Sequence, residues 1–246
     1  MANIVGTEGD NFLIGTPSDD QIQGLGGQDI LLGGRGEDTL EGGSGQDFLW
    51  GGEDDDNLNG GVDRDFLFGD GAQDTLDGDA GDDQLWGGTE DDLLTGGFGM
   101  DTLRGGQGND ILIGVSPSDE QPGQLERDTL IGGNGSDTFV LGDPYKVYYD
   151  DSQIRFIVQP PPTEPPPSYG LIVDFQPGQD VIQLKGAIEY ELRDVDLPNG
   201  VAGVGIFFDA DQFVGNGAEQ LIGIIQSQQS LDSLQINTGR ALTTIT

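Results

Sequence analysis

The chain has 246 residues and a formal net charge of −36, with 45 Asp and Glu side chains against 9 Lys and Arg. It contains no His and no Cys, which excludes disulfides, thiolate and imidazole metal sites, Ser-His-Asp triads and Cys nucleophiles. A nucleic-acid partner is excluded as well, because it needs a basic footprint that this sequence lacks.

The negative charge is spread unevenly. Residues 1–140 carry 31 acidic and 4 basic side chains, whereas residues 141–246 carry 14 and 5. Self-repulsion on this scale opposes a compact state, so we expect a cation to accompany the fold. No apolar run approaches the roughly 20 residues that span a bilayer. The N-terminus shows no charged and then apolar leader, so we expect no cleaved signal peptide.

A nine-residue repeat runs from Gly6 to Val140. Fifteen consecutive units begin with Gly and never lose register. Position six is Asn11 in the first unit and Asp in every later one. Position eight is a large apolar residue in all units except the one that contains Gln121. A repeat of this regularity predicts a solenoid.

Each unit divides into a turn and a strand. Positions one to six are rich in Gly and end in Asp, which predicts a tight turn. Positions seven to nine predict a three-residue strand whose position eight faces inward. Two units would make one coil, and stacked coils would bury a thin aliphatic core at a spacing of about 4.8 Å. The predicted fold is all-β: a right-handed parallel β-roll (β-solenoid) over residues 1–140, followed by a β-rich capping domain.

Stacking also brings the position-six side chains of alternate units together. With main-chain carbonyls from the Gly-rich turns, such carboxylates would form all-oxygen cages for a hard cation. Several Ca²⁺ ions suit these cages, because Ca²⁺ takes six to eight oxygens in loose geometry whereas Mg²⁺ needs a tighter octahedron. For a single Asp, a solvated turn residue that caps its own backbone is the alternative. The predicted ligands in the roll are Asn11, Asp20, Asp29, Asp38, Asp47, Asp56, Asp65, Asp74, Asp83, Asp92, Asp101, Asp110, Asp128 and Asp137.

The units at Gly33–Glu41, Gly42–Trp50 and Gly105–Ile113 show the repeat in its clearest form. They resemble the G-G-x-G-x-D-x-U-x repeat of RTX, or haemolysin-type, calcium-binding proteins. The resemblance covers about half of the chain. It implies a calcium-loaded roll, secretion by type I export machinery, and folding outside the cell, where calcium is abundant.

Several units depart from that pattern. At position four, Gly is replaced by Asp54, Asp63, Ala72 and Glu90, which would either strain the turn or add a ligand. The unit Gly114–Pro122 has Gln121 at the core position and two Pro, so we expect it to form a loop outside the roll. That expectation puts Asp119 in doubt as a ligand.

Positions seven and nine should point outward, with alternate units on opposite sheets. One outer face is then polar, while the other carries Phe12, Ile14, Ile30, Leu32, Phe48, Trp50, Phe66, Phe68 and Trp86. Further along, we expect apolar residues on the opposite face, at Leu93, Ile111, Ile113 and Ile131. An apolar strip of this size indicates a covered surface. Three alternatives could cover this strip: the C-terminal segment, an identical copy of the chain, or an extracellular glycan or other partner.

Residues 141–246 form the predicted capping domain, which includes a Pro-rich loop at 159–168. Asp174 and Asp180 repeat the turn pattern and would hold one further calcium or form a plain β-turn. The last six residues fit either an uncleaved export signal or a final strand. The predicted strands are Tyr145–Tyr149, Ile154–Val158, Leu171–Phe175, Val181–Leu184, Ile206–Phe208 and Leu221–Gln226.

The sequence therefore predicts a secreted, extracellular calcium-binding protein that is not an enzyme and has a structural or adhesive role. A carbohydrate- or surface-binding module that uses the aromatic face is the first alternative. A carboxylate-based glycosidase is the other, because a pair of carboxylates is the one simple catalytic apparatus that this composition allows.

Overall fold

The computed structural model describes residues 1–117, 126–141, 169–176, 179–184, 190–196, 202–209, 219–225, 234–237 and 242–245. These residues contain twenty-two β-strands and no helix. In chain order the strands are β1 (Asn3–Thr7), β2 (Phe12–Ile14), β3 (Gln21–Gly26), β4 (Ile30–Arg35), β5 (Thr39–Ser44), β6 (Phe48–Glu53), β7 (Asn57–Val62), β8 (Phe66–Gly71), β9 (Thr75–Ala80), β10 (Gln84–Thr89), β11 (Leu93–Gly97), β12 (Thr102–Gln107), β13 (Ile111–Val115), β14 (Arg127–Asn134), β15 (Thr138–Val140), β16 (Tyr169–Ile172), β17 (Val181–Gln183), β18 (Tyr190–Asp196), β19 (Ala202–Asp209), β20 (Glu219–Ile225), β21 (Leu234–Asn237) and β22 (Leu242–Ile245).

The strands form two sheets of a parallel β-solenoid. Sheet 1 has the order β1-β3-β5-β7-β9-β11-β13-β15-β17-β21-β22, and sheet 2 has the order β18-β19-β20-β16-β14-β12-β10-β8-β6-β4-β2. Alternate strands therefore belong to alternate sheets through the roll. Leu31 pairs with Leu49, and Leu49 pairs with Leu67, each partner lying two units further along the chain. This register confirms that two nine-residue units make one coil.

The core consists of the position-eight side chains stacked between the sheets. From Ile22 to Leu130 they are fully buried, apart from the excluded unit, and Phe139 continues the stack. Burying a Leu side chain contributes about 1.5–3 kcal/mol. At the N-terminal end Ile4 and Leu13 are only partly buried, because no coil lies beyond them among the described residues. The core is thus less completely covered at its first coil than further along.

Most strands of the roll are longer than the sequence predicted. Six-residue strands such as β5 begin at position seven and run through position three of the next unit, so the expected three-residue length was wrong for them and is confirmed only for β2 and β15. The Gly pair at positions one and two stays in the ladder, where Gly43 pairs with Gly61 in the coil above. Without Cβ atoms, these residues let successive coils approach closely before the chain reverses.

In the unit Gly114–Pro122, Val115 still pairs with Gly97 at the end of β13, after which both sheets skip the length of one unit. Thr102 pairs with Thr129, and Ile111 pairs with Thr138, so three units rather than two separate these partners. The skipped length agrees with the expectation that this unit leaves the roll; residues 118–125, which include Asp119, are outside the described part of the chain. Ile131 consequently pairs with Arg104 in sheet 2. The expectation that Ile131 shares a face with Leu93 and Ile111 was wrong, because omitting one unit exchanges the sheets of all later ones.

Both sheets continue beyond the roll. Strand β16 adds to β14 in sheet 2, and β17 adds to β15 in sheet 1, each in parallel. Sheet 2 then extends through β20, β19 and β18, of which the last two pair antiparallel. Sheet 1 extends through β21 to β22, also an antiparallel pair. No helix in the described residues is long and apolar enough to cross a membrane.

The predicted C-terminal strands are confirmed where they fall on described residues. They correspond to β16, β17, β19 and β20, with β16 beginning and ending earlier than expected. Strands β18 and β21 were not predicted, and β22 agrees with the final-strand alternative for the C-terminus. The predicted strands Tyr145–Tyr149 and Ile154–Val158 and the Pro-rich loop 159–168 lie outside the described residues.

Candidate metal centre

The position-six Asp residues form a buried ladder along each row of turns, which we call the Asp ladder. Their exposed fractions are 4 % or less from Asp20 to Asp137 in the described units, and Asp180 is equally buried. In each turn Oδ1 accepts a hydrogen bond from the backbone N–H of the position-six residue one coil earlier, as from Asp29 to Asp47 (2.7 Å). The ladder crosses the excluded unit unbroken, because the N–H of Asp101 donates to Asp128 (2.9 Å).

The second carboxylate oxygen, Oδ2, has no such partner through most of the ladder. In the described part of the chain, eleven of these Oδ2 atoms are buried without a hydrogen bond. We call their turns the inner turns; they carry Asp29, Asp38, Asp47, Asp56, Asp65, Asp74, Asp83, Asp92, Asp101, Asp110 and Asp137. A buried carboxylate oxygen without a donor is costly, so the donor set fits a bound cation at each inner turn.

The Gly at position one shapes the space around Oδ2. A Cβ added to Gly42 would lie 2.5 Å from Asp47 Oδ2 and 2.6 Å from the carbonyl oxygen of Gly60 in the next coil. At Gly33 the same two kinds of oxygen, from Asp38 and Gly51, lie at 2.5 and 2.7 Å. Position one is therefore Gly because two oxygen acceptors occupy the place of its side chain, and not because of a positive φ.

Positive φ angles occur instead at positions two and four, as at Gly43 and Gly45 (both 110°). The position-four replacements adopt the same conformation, with φ of 78° at Asp54 and 76° at Glu90. Left-handed backbone at a non-Gly residue costs about 1–3 kcal/mol, so these turns are strained as expected. Asp54 also accepts a hydrogen bond from the N–H of Gly36 (3.0 Å).

Burial raises the pKa of the inner carboxyl groups. It raises the pKa of Asp65 to about 8, and the charges of Asp83 and Asp47 in the adjacent coils add to the effect. The pKa of Asp56 rises to about 7 for the same reasons, with burial again the main cause. A nearby cation favours the charged form of a carboxyl group and would oppose this shift.

An ion in an inner turn would need main-chain oxygens as well as carboxylates. Among the described residues, nowhere do three or more Asp or Glu side chains gather into a group that could hold a metal on their own. Position-one carbonyls, such as that of Gly60 beside Asp47 Oδ2, are available to complete an all-oxygen shell. Such a shell suits Ca²⁺, which accepts backbone carbonyl ligands.

The first two turns of the ladder differ from the inner turns. The N–H of Thr7 donates to Asn11 Oδ1 (2.6 Å), and the N–H and hydroxyl of Thr16 both donate to Asp20 Oδ2. The N–H of Thr16 is the main reason that the pKa of Asp20 is lowered, whereas inner-turn carboxyls have raised values. Sequence reasoning missed this contact, although Thr at position two occurs only in these two units.

In the last described turn of the ladder, too, the protein itself donates hydrogen bonds to the carboxylate oxygens. Asp180 accepts hydrogen bonds at Oδ2 from the N–H of Gln176 (2.6 Å) and at Oδ1 from the ladder. The carboxylate of Asp174 accepts the N–H groups of Gly132 (2.9 Å) and Gly133 (2.8 Å). The structure therefore places both predicted ligands at the end of the ladder, with each carboxylate oxygen bonded to a backbone amide. We call the turns of Asn11, Asp20 and Asp180 the end turns.

A second ladder runs along the rims of the turns in the opposite sense. At position five, the side chain of Asp55 accepts the N–H of Gln73 one coil later (3.0 Å), and Asp91 accepts that of Asn109 (2.7 Å). In the Asp ladder, by contrast, the acceptor lies one coil after its donor. Position-five acidic residues thus have a structural role that sequence reasoning did not assign to them.

The outer face of sheet 2 carries the predicted aromatic rows. Trp50, Phe68 and Trp86 stack with ring centroids 4.5 Å apart, and Phe48 stacks on Phe66 at 4.6 Å. Both faces of the Phe68 ring are therefore covered by neighbouring rings. This arrangement leaves mainly ring edges toward solvent, whereas a sugar stacks on ring faces. We call this surface the apolar face; it comprises Phe12, Ile14, Ile30, Leu32, Phe48, Trp50, Phe66, Phe68 and Trp86.

The family match found by comparison with known proteins covers the same residues as the roll. The family model of the RTX calcium-binding nonapeptide repeat matches residues 5–40, 32–67, 59–94, 68–101, 86–114 and 123–143, together more than half of the chain. The chain belongs to this family. No RTX match covers residues 115–122, which fall in the unit excluded from the roll. No curated protein matches the chain.

Family membership makes this RTX chain a calcium-binding repeat protein, in agreement with its oxygen-only donor set. RTX repeats of this kind are typically structural calcium-binding elements, which is consistent with a non-enzymatic role.

Proposed function

We propose that this RTX protein is secreted and that its roll folds when several Ca²⁺ ions bind between its stacked turns. The observation that carries the proposal is the series of eleven buried Oδ2 atoms without a hydrogen-bond donor. Each inner-turn Asp would bind through Oδ2, next to the carbonyl of a position-one Gly in the following coil. Asp128 continues the same ladder and stays a predicted ligand.

Ligand-coupled folding follows from the electrostatics. Without cations, a net charge of −36 and buried carboxylates in adjacent coils oppose the compact state. Calcium would bind the native state alone, because the unfolded chain has no preformed cages, and binding would therefore stabilise the fold. Low intracellular calcium would keep the chain extended for a type I exporter, and high extracellular calcium would complete folding. Family membership and the excess of negative charge support this route.

A calcium titration tests the proposal. We expect the metal-free chain at neutral pH to show little β-structure by circular dichroism and to gain the β-signal cooperatively as calcium is added. Isothermal titration calorimetry should count several ions, and Mg²⁺ at the same concentrations should be a poor substitute. A chain that is fully folded in excess chelator, or that binds no calcium, would contradict the proposal.

A structural or adhesive role fits better than an enzymatic one. A carboxylate-pair glycosidase needs two carboxyl groups facing a shared cleft, about 5–10 Å apart. The buried carboxylates of the described residues instead lie inside the turns, where backbone amides already hold one oxygen of each. Assaying the calcium-loaded protein against a panel of polysaccharides would test this conclusion, and hydrolysis would refute it.

We also propose that the apolar face mediates self-association, in preference to binding a glycan. Phe12 and Ile14 are 61 % and 55 % exposed at one end of this face, while the stacked rings further along present edges rather than faces. Analytical ultracentrifugation of the Trp50→Ser variant should show a shift toward monomer, with Asn57→Ser in sheet 1 as control. An unchanged sedimentation profile together with a positive glycan array would favour the carbohydrate-binding alternative.

A further inference from the structure

The position-six side chains of the inner turns and of the end turns differ in the hydrogen bonding of their second polar atom. In the inner turns this atom is Oδ2, which is buried without a donor. In the end turns the residue four positions before the Asp or Asn donates its backbone N–H to the side chain, from Thr7 to Asn11, from Thr16 to Asp20, and from Gln176 to Asp180. The donors lie at the two ends of the ladder.

At the N-terminal end the donor is a Thr, which also contributes its hydroxyl group. Thr16 Oγ1 donates to Asp20 Oδ2 (2.8 Å), and Asn11 Nδ2 donates to Thr7 Oγ1 (3.1 Å). Neither Thr has a positive φ, although seven other non-Gly residues at turn positions do. The Thr turns therefore differ in backbone conformation as well as in hydrogen bonding. In the first turn the acceptor is also an uncharged amide.

At the C-terminal end a side-chain amide is added. Gln176 Nε2 donates to the carbonyl oxygen of Gly133 (2.6 Å), which is a main-chain oxygen of the last complete turn. Asp174 accepts the N–H groups of that same turn. Polar hydrogens of the protein thus meet both side-chain and main-chain oxygens at this end of the ladder.

We propose that the end turns carry no calcium and that the residue at position two, Thr7 or Thr16 at the start and Gln176 at the end, replaces the ion there. This inference rests on the proposed calcium binding of the inner turns and deepens it. Asn11, Asp20, Asp174 and Asp180, which the sequence pattern includes among the ligands, are then structural hydrogen-bond acceptors. The roll carries its own metal-free closure at both ends.

A pair of matched variants tests the inference by ion count. Asp20 and Asp38 occupy the same row of turns in adjacent coils, both are buried, and both accept a backbone N–H at Oδ1. An Asn at either position keeps that acceptor. Calorimetry and equilibrium dialysis with Ca²⁺ should show one ion fewer for Asp38→Asn and the wild-type number for Asp20→Asn. Loss of one ion from Asp20→Asn would overturn the inference.

The converse variant creates a site. Thr16→Gly installs the residue most common at position two of the inner turns and removes the hydroxyl donor to Asp20. We expect this variant to bind one ion more than the wild type, and an unchanged count would overturn the role of Thr16. Failure of the proposed function is separate, because it would appear as a wild-type chain that binds no calcium. Circular dichroism at saturating calcium checks that each variant is folded.

Discussion

The inner turns and the end turns both place side-chain oxygens inside the roll, but these oxygens have different hydrogen-bond partners in the two kinds of turn. At Asp20 and Asp180, as in the inner turns, Oδ1 of a buried carboxylate accepts an amide of the neighbouring coil. The second oxygen receives a donor from the protein itself in the end turns, as at Asp20, and has none in the inner turns. The comparison teaches that the residue at position two, and not the Asp alone, decides whether the protein itself supplies a donor to the second oxygen.

The largest expected effect comes from the core beneath the turns. Leu67 is fully buried in an inner coil, whereas Leu13 is only partly buried in the first coil. Truncating a buried Leu to Ala costs about 2–5 kcal/mol because transfer energy is lost and a cavity remains. We expect Leu67→Ala to lower the free energy of unfolding by that amount in saturating calcium, and Leu13→Ala by clearly less. Urea denaturation measures both, and equal losses would contradict the distinction.

The next effect concerns the Gly that makes room for the oxygens. A Cβ at position 42 would crowd Asp47 Oδ2 and the carbonyl of Gly60, whereas a Cβ on Gly9 in the first turn would meet nothing within 4 Å. Crowding of this kind costs about 1–3 kcal/mol. We expect Gly42→Ala to lose one bound ion and to shift the calcium midpoint upward, with Gly9→Ala unchanged. A Gly42→Ala protein with wild-type calcium binding would refute the conclusion that Gly42 makes room for the oxygen ligands of an ion.

Acid should act in opposite directions on the inner turns and on the turn of Asp20, whereas Asp180 resembles the inner turns because burial raises its pKa. Inner-turn carboxyls have raised pKa values, about 8 at Asp65 and about 6 at Asp38, so the metal-free native state binds more protons than the unfolded chain. This contribution to stability is complete below the ordinary carboxyl pKa of 3.8 and is lost as pH rises through the raised values. The lowered pKa of Asp20 has the reverse effect: its contribution is present above 3.8 and is lost on acidification.

The metal-free chain should therefore gain β-structure when the pH falls from about 8 toward about 4. Circular dichroism in metal-stripped buffer measures the gain, and hydrogen exchange should show the smallest gain in the first coil. A metal-free chain equally unstructured at both pH values would refute the assignment of the inner carboxyls as buried and unpaired.

The smallest effect concerns the stacked rings. Phe68 stacks on Trp50 and on Trp86, while Phe12 in the first coil is 61 % exposed. An aromatic pair adds about 0.5–1.5 kcal/mol beyond area burial. We expect Phe68→Ala to lower thermal stability measurably in saturating calcium and Phe12→Ala to change it by less. Equal shifts in melting temperature would show that the stacking contributes nothing.

Much of the roll could be predicted from sequence because its period is strict. An apolar residue at position eight of each unit requires stacked strands, and the structure buries Leu31, Leu49 and Leu67 in register. The same period places Asp47 and Asp65 in one row, where the ladder joins them (2.8 Å). Two sheets, the coil length and the exclusion of the unit with Gln121 follow from this pattern.

The rest depends on which hydrogen bonds the backbone makes, and periodicity does not reveal that. The pattern treats Asp20 and Asp38 alike, yet a Thr four residues earlier closes only the first. Strand length was misjudged because paired Gly residues such as Gly42 and Gly43 predict turns locally, while contacts between coils keep them extended. Ile131 was placed on the wrong face because counting units does not show that one of them is left out.

The omitted unit also shows how such a chain tolerates changes in length. A coil needs an even number of units, so a single extra nonapeptide retained in the roll would exchange the two surfaces for everything downstream of it. Expelling it keeps Arg104 and Ile131 on one sheet and Ile113 and Val140 on the other. Gain or loss of eighteen residues should therefore leave every downstream side chain on the same outer face. Gain or loss of nine residues must either be accommodated outside the stack of coils or move the downstream side chains to the opposite face.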